Sequence, residues 1–224
     1  MPTADRPQWI SDAVNQFLSQ NFLNKELIVV DDGREAVGHL LPEHPAIIYI
    51  RLNGRKSLGE KRNIACEAAS GSIILHWDDD DWRHEGWIAS QVKALTETGA
   101  DITGLDRPCF FEPESGNGWQ YSYPSDQTPW VYGATLCYTK QIWLKNPFPA
   151  IDIGEDNAFV WAGPVKKVTP HDATDLFLAR IHRNNTSPKI TANARWKRVD
   201  AARLPLAGLN NAMSEPEHTF THHP

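Results

Sequence analysis

Through its first half the chain alternates short apolar runs with segments of helical period, and a layered α/β sheet is the architecture that accommodates that order. The runs lie at 26–30, 46–50 and 72–77. They read as continuous apolar stretches rather than alternating ones, which predicts central strands covered on both faces. Between them, Ile10, Ala13, Val14, Phe17 and Leu18 fall at the spacing that gathers one apolar stripe on a helix. Lys61, Ile64, Ala65 and Ala68 repeat that spacing before Gly71, a residue that can take the left-handed conformation closing a helix. Trp87, Ile88, Val92 and Leu95 repeat it again before Gly99 and a further strand at 101–105.

The pattern then breaks. Residues 107–130 mix Pro, Gly, Ser and Asn with aromatics and hold no stable period, as hairpins or a long functional loop would. Strands are expected at 131–139 and 165–169, with a short helical piece after Gly154. Beyond about Lys189 the pattern is lost and an extended or frayed tail is expected. A chain of 224 residues suits one substantial core.

Charge excludes one large class of partner. Lys and Arg total 22 against 28 acids, a net −6, with no basic stripe to neutralise phosphates, so no nucleic-acid partner is expected. Cys66, Cys109 and Cys137 lack metal-ligand spacing and follow no signal peptide, which reads as buried thiols in a reducing, cytoplasmic setting. No apolar run approaches the roughly 20 residues that span a bilayer, so any membrane contact is expected to be peripheral, at the inner face.

In open α/β sheets, ligands bind beyond the carboxyl ends of the parallel strands. Here those ends are acidic: one run closes in Asp31-Asp32-Gly33 and another in Asp78-Asp79-Asp80-Asp81. Consecutive carboxylates at the mouth of a strand repel one another and need a cation. A hard divalent ion, magnesium or manganese, binds through one or two carboxylates plus substrate phosphates, and a nucleotide diphosphate would complete the shell. An acidic run is more often a solvated loop, but Trp77 and Trp82 flank this one and predict anchoring by burial. An EF-hand loop from Asp78 would want Gly and Glu where Arg83 and Ala89 stand. A haloacid-dehalogenase-type phosphatase would want Thr or Val where Trp82 stands.

Five motifs occur in order: Pro2-Thr3-Ala4-Asp5-Arg6, then Glu26-Leu27-Ile28-Val29-Val30-Asp31-Asp32-Gly33, then Leu58-Gly59-Glu60-Lys61-Arg62-Asn63-Ile64-Ala65, then Asp78-Asp79-Asp80, and Gly154-Glu155-Asp156. Together they resemble glycosyltransferase family 2, inverting enzymes of the GT-A fold. The resemblance implies a Rossmann-like, mostly parallel sheet flanked by helices, with a smaller antiparallel or irregular acceptor-side part. It implies a single domain over 1–188, with a nucleotide-binding half at 1–105, an acceptor-side half at 106–188 and a tail at 189–224. In the family the opening Pro-Thr follows a central strand, so the first strand is expected to be truncated here. The accompanying expectation is that the natural product starts upstream, or that this version is weakly stable.

The resemblance also implies roles. Thr3 and Asp32 would lie by the nucleotide base, with Asp31 sharing that role, and Arg62 would hold the base or ribose. Asp78 would face the ribose beside Asp79, and Asp80 would reach the metal. A helix-surface Arg62 paired with Glu60 or Glu67 is the alternative. Asp156 would be the general base toward the acceptor hydroxyl, and Glu155 would orient that acceptor. These two acids also fit an ordinary helix N-terminus. His182 is a candidate additional metal ligand, against the commoner structural histidine.

Trp119, Trp130 and Tyr132 are expected beside the acceptor. Trp196, in the basic stretch Arg195-Trp196-Lys197-Arg198, is read as part of a solvated tail, or else as a cover for the donor diphosphate. The function implied is transfer of a sugar from a nucleotide diphosphate sugar to a glycan, lipid-linked or other hydroxyl acceptor. The alternatives are a sugar-nucleotide-forming nucleotidyltransferase and an inactive sugar- or nucleotide-binding scaffold.

Overall fold

The computed structural model describes residues 1–163 and 166–205; Val165 and the tail beyond 205, both covered by the expectations above, lie outside the described residues. In chain order the elements are β1 (Pro2–Thr3), α1 (Pro7–Leu18), β2 (Leu27–Asp31), β3 (Ile47–Arg51), α2 (Leu58–Ala68), β4 (Ile73–Leu75), β5 (Trp82–Arg83) and α3 (Trp87–Thr98). There follow β6 (Ile102–Gly104), β7 (Cys109–Glu112), β8 (Asn117–Tyr121), β9 (Cys137–Thr139), α4 (Lys140–Lys145), α5 (Glu155–Trp161), β10 (Val168–Pro170), β11 (Phe177–Arg180) and β12 (Trp196–Val199).

Local chemistry accounts for the helices of the first half. Pro7 opens α1, where its missing N–H costs nothing, and Ile10, Ala13, Val14 and Phe17 are buried as the apolar stripe requires. Ser57 and Glu60 form a reciprocal capping box on α2, satisfying two free N–H groups. Gly99 closes α3 with φ 57°, the left-handed geometry expected of it. Gly71 does not play that part for α2, which ends through Ala69 in an extended conformation. Instead, the Glu26 carboxylate gathers the N–H groups of Ser70 and Gly71 and the Ser70 hydroxyl at 2.7–2.9 Å, so a side chain closes the turn.

Three sheets result. The first is parallel, in the order β1-β2-β3. β2 is wholly buried, whereas β3 is an edge strand only partly covered, a correction to its reading as central. The second sheet has the order β10-β6-β9-β4. β4, expected to continue the parallel sheet, pairs antiparallel with β9, and a cavity of about 810 Å³ with mainly apolar walls separates it from β2. The stretch 131–139 is a strand only from Cys137, because a 3₁₀ turn occupies Gly133–Thr135.

The third sheet, β12-β8-β7-β11-β5, contains the hairpin expected within 107–130, turning at Gly116 with φ 69°. Its outer strand corrects the reading of the tail. β12 pairs antiparallel with β8, and Trp196 packs against Phe110 and Tyr121 with ring centroids 4.8 and 5.2 Å apart. Trp196 is therefore held against the core rather than in a solvated tail. Among the described residues, no helix is long and apolar enough to cross a membrane.

Candidate active site

The carboxylates stand where strands run out. β2 leads into Asp31 and Asp32, and β4 leads through His76 and Trp77 into the Asp run. Trp77 is buried with its Nε1 donating to Ala13 O at 3.1 Å, and Trp82 is buried on the other side, so the run is pinned at both ends. Asp79, Asp80 and Asp81 are buried; the Asp78 side chain keeps 24% exposure and is the open member.

Each acid faces an arginine. Arg62 Nη2 lies 3.4 Å from Asp78 Oδ1. Arg6 reaches two of them, with Nη2 2.8 Å from Asp79 Oδ1 and Nη1 2.8 Å from Asp80 Oδ2. Arg83 Nη2 lies 3.9 Å from Asp81 Oδ2 and its guanidinium rests on the Trp77 and Phe177 rings. The local cause of Arg6's placement is a left-handed Asp5, φ 54°, a conformation Asp tolerates. The Asp5 carboxylate fixes it by accepting the Arg34 N–H at 2.7 Å.

Burial and these cations divide the four acids. Burial would raise Asp78, but Arg62 together with His76, Arg83 and Arg6 outweighs it and holds the carboxyl at about 2. Burial pushes Asp79 up to about 7, against the pull of Arg6. Asp80 lies below its ordinary value because the His182 hydrogen bond and Arg6 outweigh burial. Asp81 is raised well above the carboxylate range by burial and by Asp80.

On the side expected to meet the nucleotide, Thr3 Oγ1 donates to Asp79 Oδ2 at 2.6 Å. Asp32 accepts from Lys61 Nζ and the Lys56 N–H, both at 2.7 Å. Asp31 is fully buried, and accepts from Tyr49 Oη, the Gly33 and Val37 N–H groups and Arg51. These donors lower its pKa despite burial. Asp31 therefore braces the loop after β2 from behind.

Arg62 is not a surface cation. It is buried between Asp78 and Glu155, its Nε 3.2 Å from Glu155 Oε1. Glu155 is buried as well, and burial raises its pKa against the pull of Arg62. Gly154 begins α5 with φ 84°, a backbone that glycine adopts freely, and Asp156 follows with Oδ1 accepting the Asn157 N–H at 2.8 Å. Its other oxygen lies against Gly133, where a Cβ would stand 2.0 Å from Oδ2. His182 follows β11, with Nε2 3.0 Å from Asp80 Oδ2, and Asn185 accepts its backbone N–H at 2.8 Å.

A cavity of about 260 Å³ gathers Arg6, Arg62, Asp78, Asp80, Asp81, Glu155 and Asp156, together with Trp130, Tyr132 and Lys189. Thr3, Asp31, Asp32, Asp79 and His182 do not line it, though Thr3 and Asp79 are joined to each other and His182 to Asp80. Of the aromatics expected here, Trp130 and Tyr132 line the cavity. Trp119 packs instead against the core. Trp130 donates to Asn157 Oδ1 at 2.8 Å, beside Asp156 in sequence.

Sequence reasoning assigned no role to Arg6, Lys61 or Arg83. Lys61 offered a signal, since it occupies a position of an otherwise apolar helical stripe and is buried there.

Among the described residues, no group of three or more His, Cys, Asp or Glu side chains is arranged to hold an ion. Asp80 and His182 form a pair, and the buried Asp78 Oδ1 and Asp79 Oδ1 have no hydrogen-bond partner. This donor set fits an ion that takes the rest of its shell from water and phosphate oxygens.

The sequence profile of Glycosyl transferase family 2 matches residues 1–167. Glycosyltransferase GlyA of Streptococcus pneumoniae serotype 4 is 26% identical over 119 residues, 51% of this chain and 17% of that protein. Residues 1–349 of TarS from S. aureus, in complex with UDP-GlcNAc, superpose with a TM-score of 0.66 at 16% identity, over 85% of this chain and 60% of that one. The mannosyltransferase PcManGT from Pyrobaculum calidifontis, in complex with GDP-Man and Mn2+, gives 0.63 at 16% identity, over 83% of this chain and 56% of that one. The chain thus spans less than two thirds of each. The fold shared with TarS and PcManGT is the α/β GT-A fold.

Proposed function

Because the chain belongs to glycosyltransferase family 2, its profile matching residues 1–167, we propose that it moves a sugar, with inversion, from a nucleotide diphosphate sugar to an acceptor hydroxyl. One observation carries the reading: Asp78, Asp80 and Asp81 of the Asp run and the Glu155-Asp156 pair, remote in sequence, line a single cavity. The donors named for the two solved relatives, UDP-GlcNAc and GDP-Man, make uridine and guanosine diphosphate sugars the donor candidates.

Thr3, Asp32 and Lys61 sit at the base end, with Asp31 bracing them from behind. Asp78, held ionised by Arg62, faces the ribose, and Asp79 ties that edge to Thr3. Asp80 and His182 would hold a divalent magnesium or manganese ion. Bound there with the donor, the ion supplies Lewis acidity toward the diphosphate as the anomeric C–O bond breaks and leaves its electron pair on oxygen.

Asp156 takes the proton of the acceptor hydroxyl as that oxygen attacks the anomeric carbon from the opposite face. Glu155 fixes Arg62 and thereby Asp78, as well as bordering the acceptor. Trp130 and Tyr132 offer ring faces to that acceptor. A glycan, lipid-linked or other hydroxyl compound fits this position, and contact with a membrane would be peripheral.

Calorimetric titration of UDP, GDP and dTDP, each with and without manganese, tests the reading on the protein and on Asp80→Ala. Metal-dependent binding of one nucleotide, lost in the variant, is the expected result. Absence of nucleotide binding by a folded sample would overturn the donor assignment. Pyrophosphate release from a nucleoside triphosphate and a sugar phosphate would replace it with nucleotidyl transfer.

A further inference from the structure

Arg6 spans two members of the Asp run, 2.8 Å from Asp79 Oδ1 and 2.8 Å from Asp80 Oδ2. A cation between neighbouring carboxylates relieves their repulsion, and here a side chain of the protein supplies it. Arg6 lines the cavity and keeps 17% side-chain exposure, so an entering ligand can reach it. Its approach to Asp79 Oδ1 is close but lacks hydrogen-bond alignment, leaving that oxygen without a directional partner. Asp80 Oδ2 is shared between Arg6 Nη1 and His182 Nε2, so the oxygen nearest both groups is already occupied twice.

We propose that Arg6 is an exchangeable internal counter-cation, which keeps a divalent metal off Asp80 until a nucleotide diphosphate draws the guanidinium away. The proposal rests on the donor reading above. A guanidinium fork matches phosphate oxygens as well as carboxylate oxygens, so the diphosphate can take Arg6 over without leaving it unpaired. Once Arg6 leaves, Asp79 and Asp80 lose the guanidinium they share and attract a hard cation more strongly. The protein therefore loads metal and donor together, and each raises the affinity for the other by the same factor.

The test reads bound manganese directly, through loss of the free-ion electron paramagnetic resonance signal. Mn2+ is titrated without nucleotide into the protein, Arg6→Gln and Arg6→Lys, and the titrations are repeated with UDP and with GDP. Arg6→Gln is expected to bind Mn2+ alone about tenfold more tightly than the unaltered protein, with Arg6→Lys close to the unaltered protein. The gain in Mn2+ affinity caused by nucleotide should be smaller in Arg6→Gln. Equal or weaker Mn2+ binding by a folded Arg6→Gln overturns the proposal. Should that variant not fold, the unaltered protein decides: no rise in Mn2+ affinity on adding a nucleotide that it binds overturns it equally. If neither nucleotide binds any form, the donor reading fails, while the metal-only comparison still judges Arg6.

Discussion

Arg62 Nε lies 3.2 Å from Glu155 Oε1, so one buried ion pair joins α2 to α5 across 93 positions of sequence. α2 and the helix carrying Asp156 are thereby coupled through charge as well as packing.

Glu155→Ala leaves the buried Arg62 with Asp78 alone, at 3.4 Å. Breaking a buried pair by removing one partner costs about 3–5 kcal/mol. A loss in that range is expected in urea unfolding, and a loss below about 1 kcal/mol would mean that the pair behaves as a surface one.

Gly133→Ala tests the seat of Asp156. The added methyl would stand 2.0 Å from Asp156 Oδ2, so the carboxylate must move. Under the proposed reaction kcat should fall about 100-fold, since small displacements of a reacting group cost that much. The KM for the donor should change little. A parallel loss of donor binding would show that the base is not the group displaced.

The pH dependence of stability follows from the raised acids. Asp79 rises to about 7 and Asp81 is also raised well above the usual range, so between about pH 4 and 7 these two groups bind more protons in the folded protein than in the unfolded chain, while the buried Met1 amine and His76, both lowered, bind fewer. The contribution of Asp79 and Asp81 is most favourable below the unfolded value and is lost as pH rises through the folded one. Without metal, Asp79→Asn and Asp81→Asn should each have a melting temperature that, relative to the unaltered protein, is higher at pH 7.5 than at pH 5. Equal differences at the two pH values would show that the acid replaced is not raised.

Trp196→Ala examines the last strand. Its ring packs with Phe110 and Tyr121 and is half-buried. A cost of about 2–4 kcal/mol is expected, toward the lower end for loss of a large aromatic. Chemical denaturation monitored by far-ultraviolet dichroism measures it, and a neutral result would place β12 outside the cooperative unit.

Local chemistry made the first half readable. Apolar spacing located α1, α2 and α3, and continuous runs located β2 and β3 to within a residue or two. The antiparallel pairing of β4 with β9, the edge position of β3 and the recruitment of Trp196 depend on partners distant in the chain, which periodicity does not encode. The same division runs through the site. The five motifs marked the residues that line or border the cavity, but the charge partners of Arg62 and the twofold grip of Arg6 arise only when separate elements meet. Asp31 and Asp32 look alike in sequence, yet Asp31 is enclosed by Tyr49, Arg51 and two backbone N–H groups, while Asp32 pairs with Lys61.

The Trp9 ring stands 5.6 Å from the His182 ring, centroid to centroid, at 31° between planes, and the Arg180 guanidinium lies over it at 4.6 Å. Indole emission responds to the polar groups packed against its ring. His182 in turn touches Asp80, so whatever displaces or neutralises that contact should alter the fluorescence of Trp9. Occupancy of the site at Asp80 is therefore expected to change Trp9 emission, read without label by comparing the spectrum with that of Trp9→Phe.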